Sequence, residues 1–157
     1  MNKALARLTL DGLHRAGVRE LCVCPGARNA PWIQSLAEPP CPFAVTWFFE
    51  ERAAAFFALG RIRATGRPVA VLTTSGTAAG ELLPATMEAY YAGLSLVLMT
   101  ADRPRRFRGS GAPQTAEQPG LFGIYCRHGV DLATGDVWDP GGFNNAGPVH
   151  VNVCFED

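Results

Sequence analysis

Four short apolar runs alternate with stretches of helical periodicity, and this alternation constrains the fold more than anything else in the chain. The runs are Leu21-Cys22-Val23-Cys24, Phe43-Ala44-Val45-Thr46-Trp47-Phe48, Pro68-Val69-Ala70-Val71-Leu72-Thr73 and Ser95-Leu96-Val97-Leu98-Met99-Thr100. Each is too short for a core helix and is bounded by turn formers, so each reads as a buried strand. A first helix is predicted over residues 2–16, from Leu5, Leu8, Leu10 and Leu13, with Gly17 as its C-cap. Further helices are predicted at about 30–37, stopped by Pro39-Pro40, at about 50–64, and from Ser75-Gly76-Thr77 to about Tyr91. Gly147-Pro148-Val149-His150-Val151-Asn152-Val153 reads as a last strand. Strand–helix alternation of this kind implies βαβ units, hence an α/β fold of three layers with a mainly parallel sheet covered on both faces.

At 157 residues the chain suits one domain over 1–157, and no internal repeat or low-complexity segment interrupts it. Its formal net charge of zero gives no support to nucleic-acid binding or attraction to an anionic membrane. The longest apolar runs fall well short of the ~20 residues of a membrane span. Met1-Asn2-Lys3-Ala4-Leu5-Ala6-Arg7 is too polar and periodic for a signal peptide. Cys22, Cys24, Cys41, Cys126 and Cys154 are odd in number and include no C-x-x-C pair, which favours buried free thiols in a reducing cytoplasm over disulfides or structural zinc. His14, His128 and His150 are scattered and read as structural rather than as metal ligands.

Ligands of open parallel sheets bind at the carboxyl ends of the strands. The polar clusters fall at that edge: Pro25-Gly26-Ala27-Arg28, Glu50-Glu51, Thr74-Ser75-Gly76-Thr77 and Ala101-Asp102-Arg103-Pro104. Glu50 and Glu51 begin a helix, where acids are favoured by the helix dipole, and capping alone would account for them. Glu51 is followed by Ala53, Ala54, Ala55, Phe56 and Phe57, a surface for close packing beside which a carboxyl would be partly desolvated and suited to proton transfer. Thr74-Ser75-Gly76-Thr77 is either a capped turn or a set of N–H groups that meets an anion or the edge of a heterocycle. Arg28 and Arg103, both at strand ends, carry planar forks that fit a carboxylate, whereas Arg105, Arg106 and Arg108 read as solvated loop arginines. Gly135-Asp136-Val137 with Asn144-Asn145 is spaced too tightly for a metal–diphosphate motif, and no metal ligand is assigned. Residues 104–120 form a long loop of the kind that often carries function.

Together these segments resemble the pyrimidine-binding (Pyr) N-terminal domain of the MenD family, the thiamine-diphosphate (ThDP)-dependent synthases of 2-succinyl-5-enolpyruvyl-6-hydroxy-3-cyclohexene-1-carboxylate (SEPHCHC) in menaquinone biosynthesis. The resemblance rests on Val23-Cys24-Pro25-Gly26-Ala27-Arg28, Phe49-Glu50-Glu51-Arg52, Pro68-Val69-Ala70-Val71 and Thr74-Ser75-Gly76-Thr77. It continues through Leu98-Met99-Thr100-Ala101-Asp102-Arg103-Pro104, Gly111-Ala112-Pro113-Gln114, Gln118-Pro119-Gly120-Leu121-Phe122 and Gly147-Pro148-Val149-His150-Val151-Asn152. The landmarks run in family order from about 20 to 153.

The resemblance implies a Pyr-type fold in which Glu51 meets N1′ of the cofactor's aminopyrimidine and promotes its activation. It places Ser75, Gly76 and Thr77 near that ring, and Arg28, Arg103 and Gln114 against substrate. It also implies decarboxylation of 2-oxoglutarate and addition of the succinyl-semialdehyde unit to isochorismate. The family's Mg²⁺ and the cofactor's diphosphate are held by a separate C-terminal domain, usually of a partner subunit, so the chain is expected to be a piece of a longer, self-associating protein, inactive alone. Three departures stand out: Ala27 where the family has Ser, Pro113 where it has Asn, and a segment 131–147 shorter than the family's, which usually holds a helix. The alternatives are another ThDP-dependent 2-oxoacid lyase or synthase, and a non-catalytic binding or assembly module.

Overall fold

Backbone N–H and C=O groups of the apolar runs pair in register as strands β1 (Glu20–Val23), β2 (Ala44–Trp47), β3 (Val69–Thr73) and β4 (Leu96–Asp102), joined by β5 (His128–Leu132) and β6 (Val149–Cys154). They form one sheet in the order β2-β1-β3-β4-β6-β5, and every neighbouring pair is parallel. The structure, a computed structural model, describes residues 1–141 and 147–156; Asn144 and Asn145 lie outside the described residues. Helices α1 (Asn2–Arg15), α2 (Ala30–Leu36), α3 (Glu51–Thr65), α4 (Thr77–Gly80) and α5 (Leu83–Ala92) supply the outer layers. No described helix is long and apolar enough to cross a membrane.

Because side chains alternate across a strand, the sheet divides its apolar residues between two cores. Leu21, Val23, Ala70, Leu72, Val97, Met99, Val151 and Val153 pack with Leu5, Leu10, Leu13 and Trp32 of α1 and α2. Cys22, Val69, Val71, Leu96 and Leu98 pack with Ala54, Ala55, Ala58, Leu59 and Ile62 of α3 and Ala85 and Ala89 of α5. This is the expected three-layer α/β architecture.

Four local expectations are corrected. The helix predicted from Ser75 to Tyr91 is two helices, because Pro84 in the first turn of α5 lacks an N–H and cannot continue a helix from before it. β5 was not foreseen: it is an edge strand whose first three residues, His128, Gly129 and Val130, are exposed and carry no alternating pattern. Only Cys22, Cys24 and Cys154 are buried thiols; Cys126 is half-buried and Cys41 exposed, and all five are free. The α3 surface is not wholly packed, since Phe56 and Phe57 remain 45% and 43% exposed on the side away from the sheet.

The described part of the β5–β6 connection fills the α1 side of the sheet with a single large ring. Trp138 is 5% exposed and belongs to the α1–α2 core. Gly12, in the last turn of α1, makes room for it: a Cβ there would overlap the indole.

Candidate cofactor and substrate site

The sheet order brings the carboxyl ends of β2, β1, β3 and β4 side by side, and the sequence-predicted residues lie along that rim. The two acids that open α3 do different work. Glu50 is the N-cap residue, with extended backbone, and its carboxylate accepts from the N–H groups of Arg52 (3.1 Å) and Ala53 (2.6 Å). Glu51 is thereby relieved of capping. It is half-buried, and its carboxylate makes no hydrogen bond or ion pair among the described residues. Its charge reaches the next strand end: the buried Cys24 thiol is pushed up to about 12, first by burial and then by Glu51 and Glu50.

Arg28 follows β1 and is half-buried; its N–H donates to Thr74 Oγ1 at 3.3 Å, and its guanidinium reaches Phe155 O at 3.5 Å. It lines an open cavity of about 400 Å³ with Ala27, Gln34 and Glu156. The tight approach of this turn to the next explains Gly26, where a Cβ would lie 2.5 Å from that of Thr74.

The long loop after β4 closes over the turn after β3. Ser75 Oγ donates to Gln114 O (2.9 Å), Gln114 Nε2 donates to Ser75 O (3.1 Å), and Gly76 N–H donates to Gln118 Oε1 (2.8 Å). The Gly76 N–H expected to meet a ligand is therefore taken by the loop, while Thr77 stands exposed at the start of α4. Arg103 also serves the loop: its Nε donates to Pro113 O at 3.0 Å and its guanidinium lies 5.6 Å from the Phe107 ring centre. Gln114 is exposed and holds φ at 59°, a left-handed conformation uncommon outside glycine.

Arg105, Arg106 and Arg108, read from the sequence as solvated, are ion-paired. Arg105 contacts Asp131 and Asp136, Arg106 contacts Glu156, and Arg108 contacts Asp131 (2.6 Å), Asp102 (3.5 Å) and Cys154 Sγ (3.2 Å). Asp102, Asp131 and Cys154 come within 4.8 Å of one another, as metal ligands would, but the Arg108 guanidinium is the cation among them. The Arg108 and Asn152 contacts hold the Asp131 carboxyl down at about 2 despite its burial.

Sequence reading missed the buried polar cluster that supports this loop. Cross-strand register places Thr100 opposite Asn152 and Asp131 opposite Asn152. Asn152 Nδ2 donates to Asp102 (2.9 Å) and Asp131 (2.7 Å), and its Oδ1 accepts from Thr100 (2.8 Å) and Gln118 (2.8 Å). Polar residues every second position in Val149-His150-Val151-Asn152-Val153-Cys154 were the available signal, since they must share one face of a strand.

His150 belongs to the same face, is 3% exposed, and sits 2.7 Å from Thr100 Oγ1. The Thr100 proton is committed to Asn152 Oδ1, so imidazole Nε2 donates to Thr100 Oγ1. Burial pushes this imidazole down to about 4, against a weaker upward pull from Asp131. The unfolded chain therefore binds a proton that the folded one refuses between about pH 6.5 and 4, and stability falls with pH across that window by about 3 kcal/mol. Denaturant melts from pH 7.5 to 4 should show this slope in the native chain and lose most of it in His150→Gln; an equal slope in both would exclude His150 as its source.

The described residues fit an aminopyrimidine. Glu51 offers a half-buried carboxyl with no competing partner, and Thr73 Oγ1 on the α3-facing side of β3 is buried and unpartnered among the described residues. Residues 3–121 match the family described as thiamine pyrophosphate enzyme, N-terminal TPP binding domain. The chain belongs to that family. Among its relatives are 2-succinyl-5-enolpyruvyl-6-hydroxy-3-cyclohexene-1-carboxylate synthases. The protein of Bdellovibrio bacteriovorus is 51% identical over 99% of this chain, and that of Akkermansia muciniphila 53% identical over 90% of it. The chain spans only 30% and 27% of the length of those relatives. The thiamine diphosphate-dependent 4-hydroxybenzoylformate decarboxylase of Rhodococcus jostii RHA1 shares the fold, with a TM-score of 0.80 over 96% of this chain and 30% of that one, at 20% identity.

Proposed function

We propose that this chain is the pyrimidine-binding N-terminal domain, over residues 1–157, of a longer cytoplasmic ThDP-dependent synthase of menaquinone biosynthesis. That enzyme decarboxylates 2-oxoglutarate and joins the succinyl-semialdehyde unit to isochorismate, giving SEPHCHC. The observation that carries the reading is the division of labour at α3: Glu50 caps the helix and leaves Glu51 half-buried and uncommitted at the rim. When bound, ThDP supplies the carbon nucleophile and the electron sink for decarboxylation. Glu51 holds a proton against the pyrimidine ring nitrogen, and the dry wall of Ala54 and Ala55 behind it strengthens that bond. The turn at Ser75, Gly76 and Thr77 lies near the ring edge. Arg28, Arg103 and Gln114 orient the carboxylate-bearing substrates.

Asp102 and Asp131, the acids nearest to a metal cluster, are occupied by Arg108; Mg²⁺ and the diphosphate are assigned to a C-terminal domain, usually of a partner subunit. Trp47, Phe49, Phe56, Phe57, Met87 and Tyr91 are exposed and suited to receive that partner, in a homo-oligomer whose isolated Pyr domain is inactive. The test is the full-length protein with ThDP, Mg²⁺ and isochorismate, supplied with 2-oxoglutarate or pyruvate. CO2 release and coupled product with 2-oxoglutarate alone are expected. A preference for pyruvate would move the protein to another class of 2-oxoacid enzyme, and no ThDP-dependent turnover with either would leave a binding or assembly module.

A further inference from the structure

Gln118 lies in the long loop that follows β4. It is fully buried, and every polar atom of its side chain is used: Oε1 accepts from Gly76 N–H (2.8 Å), while Nε2 donates to Ala101 O (3.1 Å) and Asn152 Oδ1 (2.8 Å). The amide cannot turn over, because that would set Nε2 against an N–H and Oε1 against two oxygens. Asn152 is pinned in turn by Thr100, Asp102 and Asp131. The N–H held by Gln118 and the Ser75 carbonyl held by Gln114 Nε2 belong to one peptide unit. Two glutamines of the same loop thus grip the two ends of a single peptide plane, where Gly76 has φ 80°. A glycine at such a position would otherwise let the plane rotate.

We propose that Gln118 is a positioning residue of the cofactor site: by fixing the Ser75–Gly76 peptide plane it sets the edge that the turn presents to the pyrimidine ring. This rests on the ThDP reading above. Gln118 touches neither cofactor nor substrate and acts through Gly76, while Gln114 holds the other end of the plane from the solvent side. Replacement by Met keeps the length and removes all three hydrogen bonds.

The experiment uses the full-length protein and measures the ThDP dissociation constant, the KM for 2-oxoglutarate and hydrogen exchange at Gly76 N–H. In Gln118→Met, Gly76 exchange should accelerate and ThDP should bind at least tenfold more weakly, with the 2-oxoglutarate KM changed less than threefold. A folded Gln118→Met protein that binds ThDP within twofold of the native one overturns the proposal, as does a parallel loss of ThDP affinity and of the 2-oxoglutarate KM. Should the Met protein fail to fold, Gln118→Asn, one methylene short of Gly76, decides on the same tenfold and twofold criteria. If the native full-length protein itself binds no ThDP, the functional reading falls and takes this role with it; native binding with an unaffected variant removes this role alone.

Discussion

Glu51→Gln in the full-length protein should lower turnover about a thousandfold, the middle of the range for loss of a positioned proton-transfer group. Stability should change by at most about 1 kcal/mol, the worth of a carboxylate near a helix N-terminus. The amide fills the same space, but it cannot hold and release a proton at the ring nitrogen. Glu50 provides the internal control. Because its carboxylate caps α3 through Arg52 and Ala53 N–H groups, Glu50→Ala should cost about 1 kcal/mol of stability and leave most of the turnover. Single-turnover decarboxylation and denaturant melts on both variants separate the roles. Retention of more than a few per cent of turnover by Glu51→Gln would remove Glu51 from the chemistry.

Trp138→Ala carries the largest expected loss of stability, about 3–5 kcal/mol, since a nearly buried indole leaves a cavity that the sheet and α1 cannot close. The Gly12 partner makes this more than a cavity argument. In the native chain, Gly12→Ala drives a methyl into the ring, and overpacking of about 1–3 kcal/mol should outweigh the ~1 kcal/mol gained from alanine in a helix. With Trp138 already replaced, the clash is gone and Gly12→Ala should stabilise. Melts of the native chain, both single variants and the double variant test that reversal of sign. An identical cost for Gly12→Ala in the two backgrounds would show that the ring does not dictate the glycine.

What was legible in the sequence follows from which forces act locally. β1, β3 and β4 are buried on both faces, so their continuous apolar runs announced them. Pro39-Pro40 and Gly17 marked helix ends because their backbone preferences are intrinsic. β5 was hidden because it lies at the sheet edge, with an exposed start whose place depends on pairing with β6. The rim residues could be placed because strand ends in a parallel sheet share one edge. Their partners could not: Gly76 with Gln118, Arg103 with Pro113 and Arg108 with Asp131 are joined by a loop whose path no local periodicity records. Arg108 shows the limit plainly. As a residue type in a Gly- and Pro-rich loop it looks solvated, and only the fold reveals two carboxylates waiting for it.

The place of β6 bears on how the chain acquires its shape during synthesis. The strand is inserted between β4 and β5, both of which leave the ribosome before it. Until residues 149–154 emerge, β4 has one side unpaired and β5 has no partner at all, so the nascent sheet presents an open seam instead of a finished edge. Asn152 of β6 then donates to Asp102 on one side of the seam and to Asp131 on the other. When it arrives, β6 supplies ladder partners to both strands at once and closes the seam.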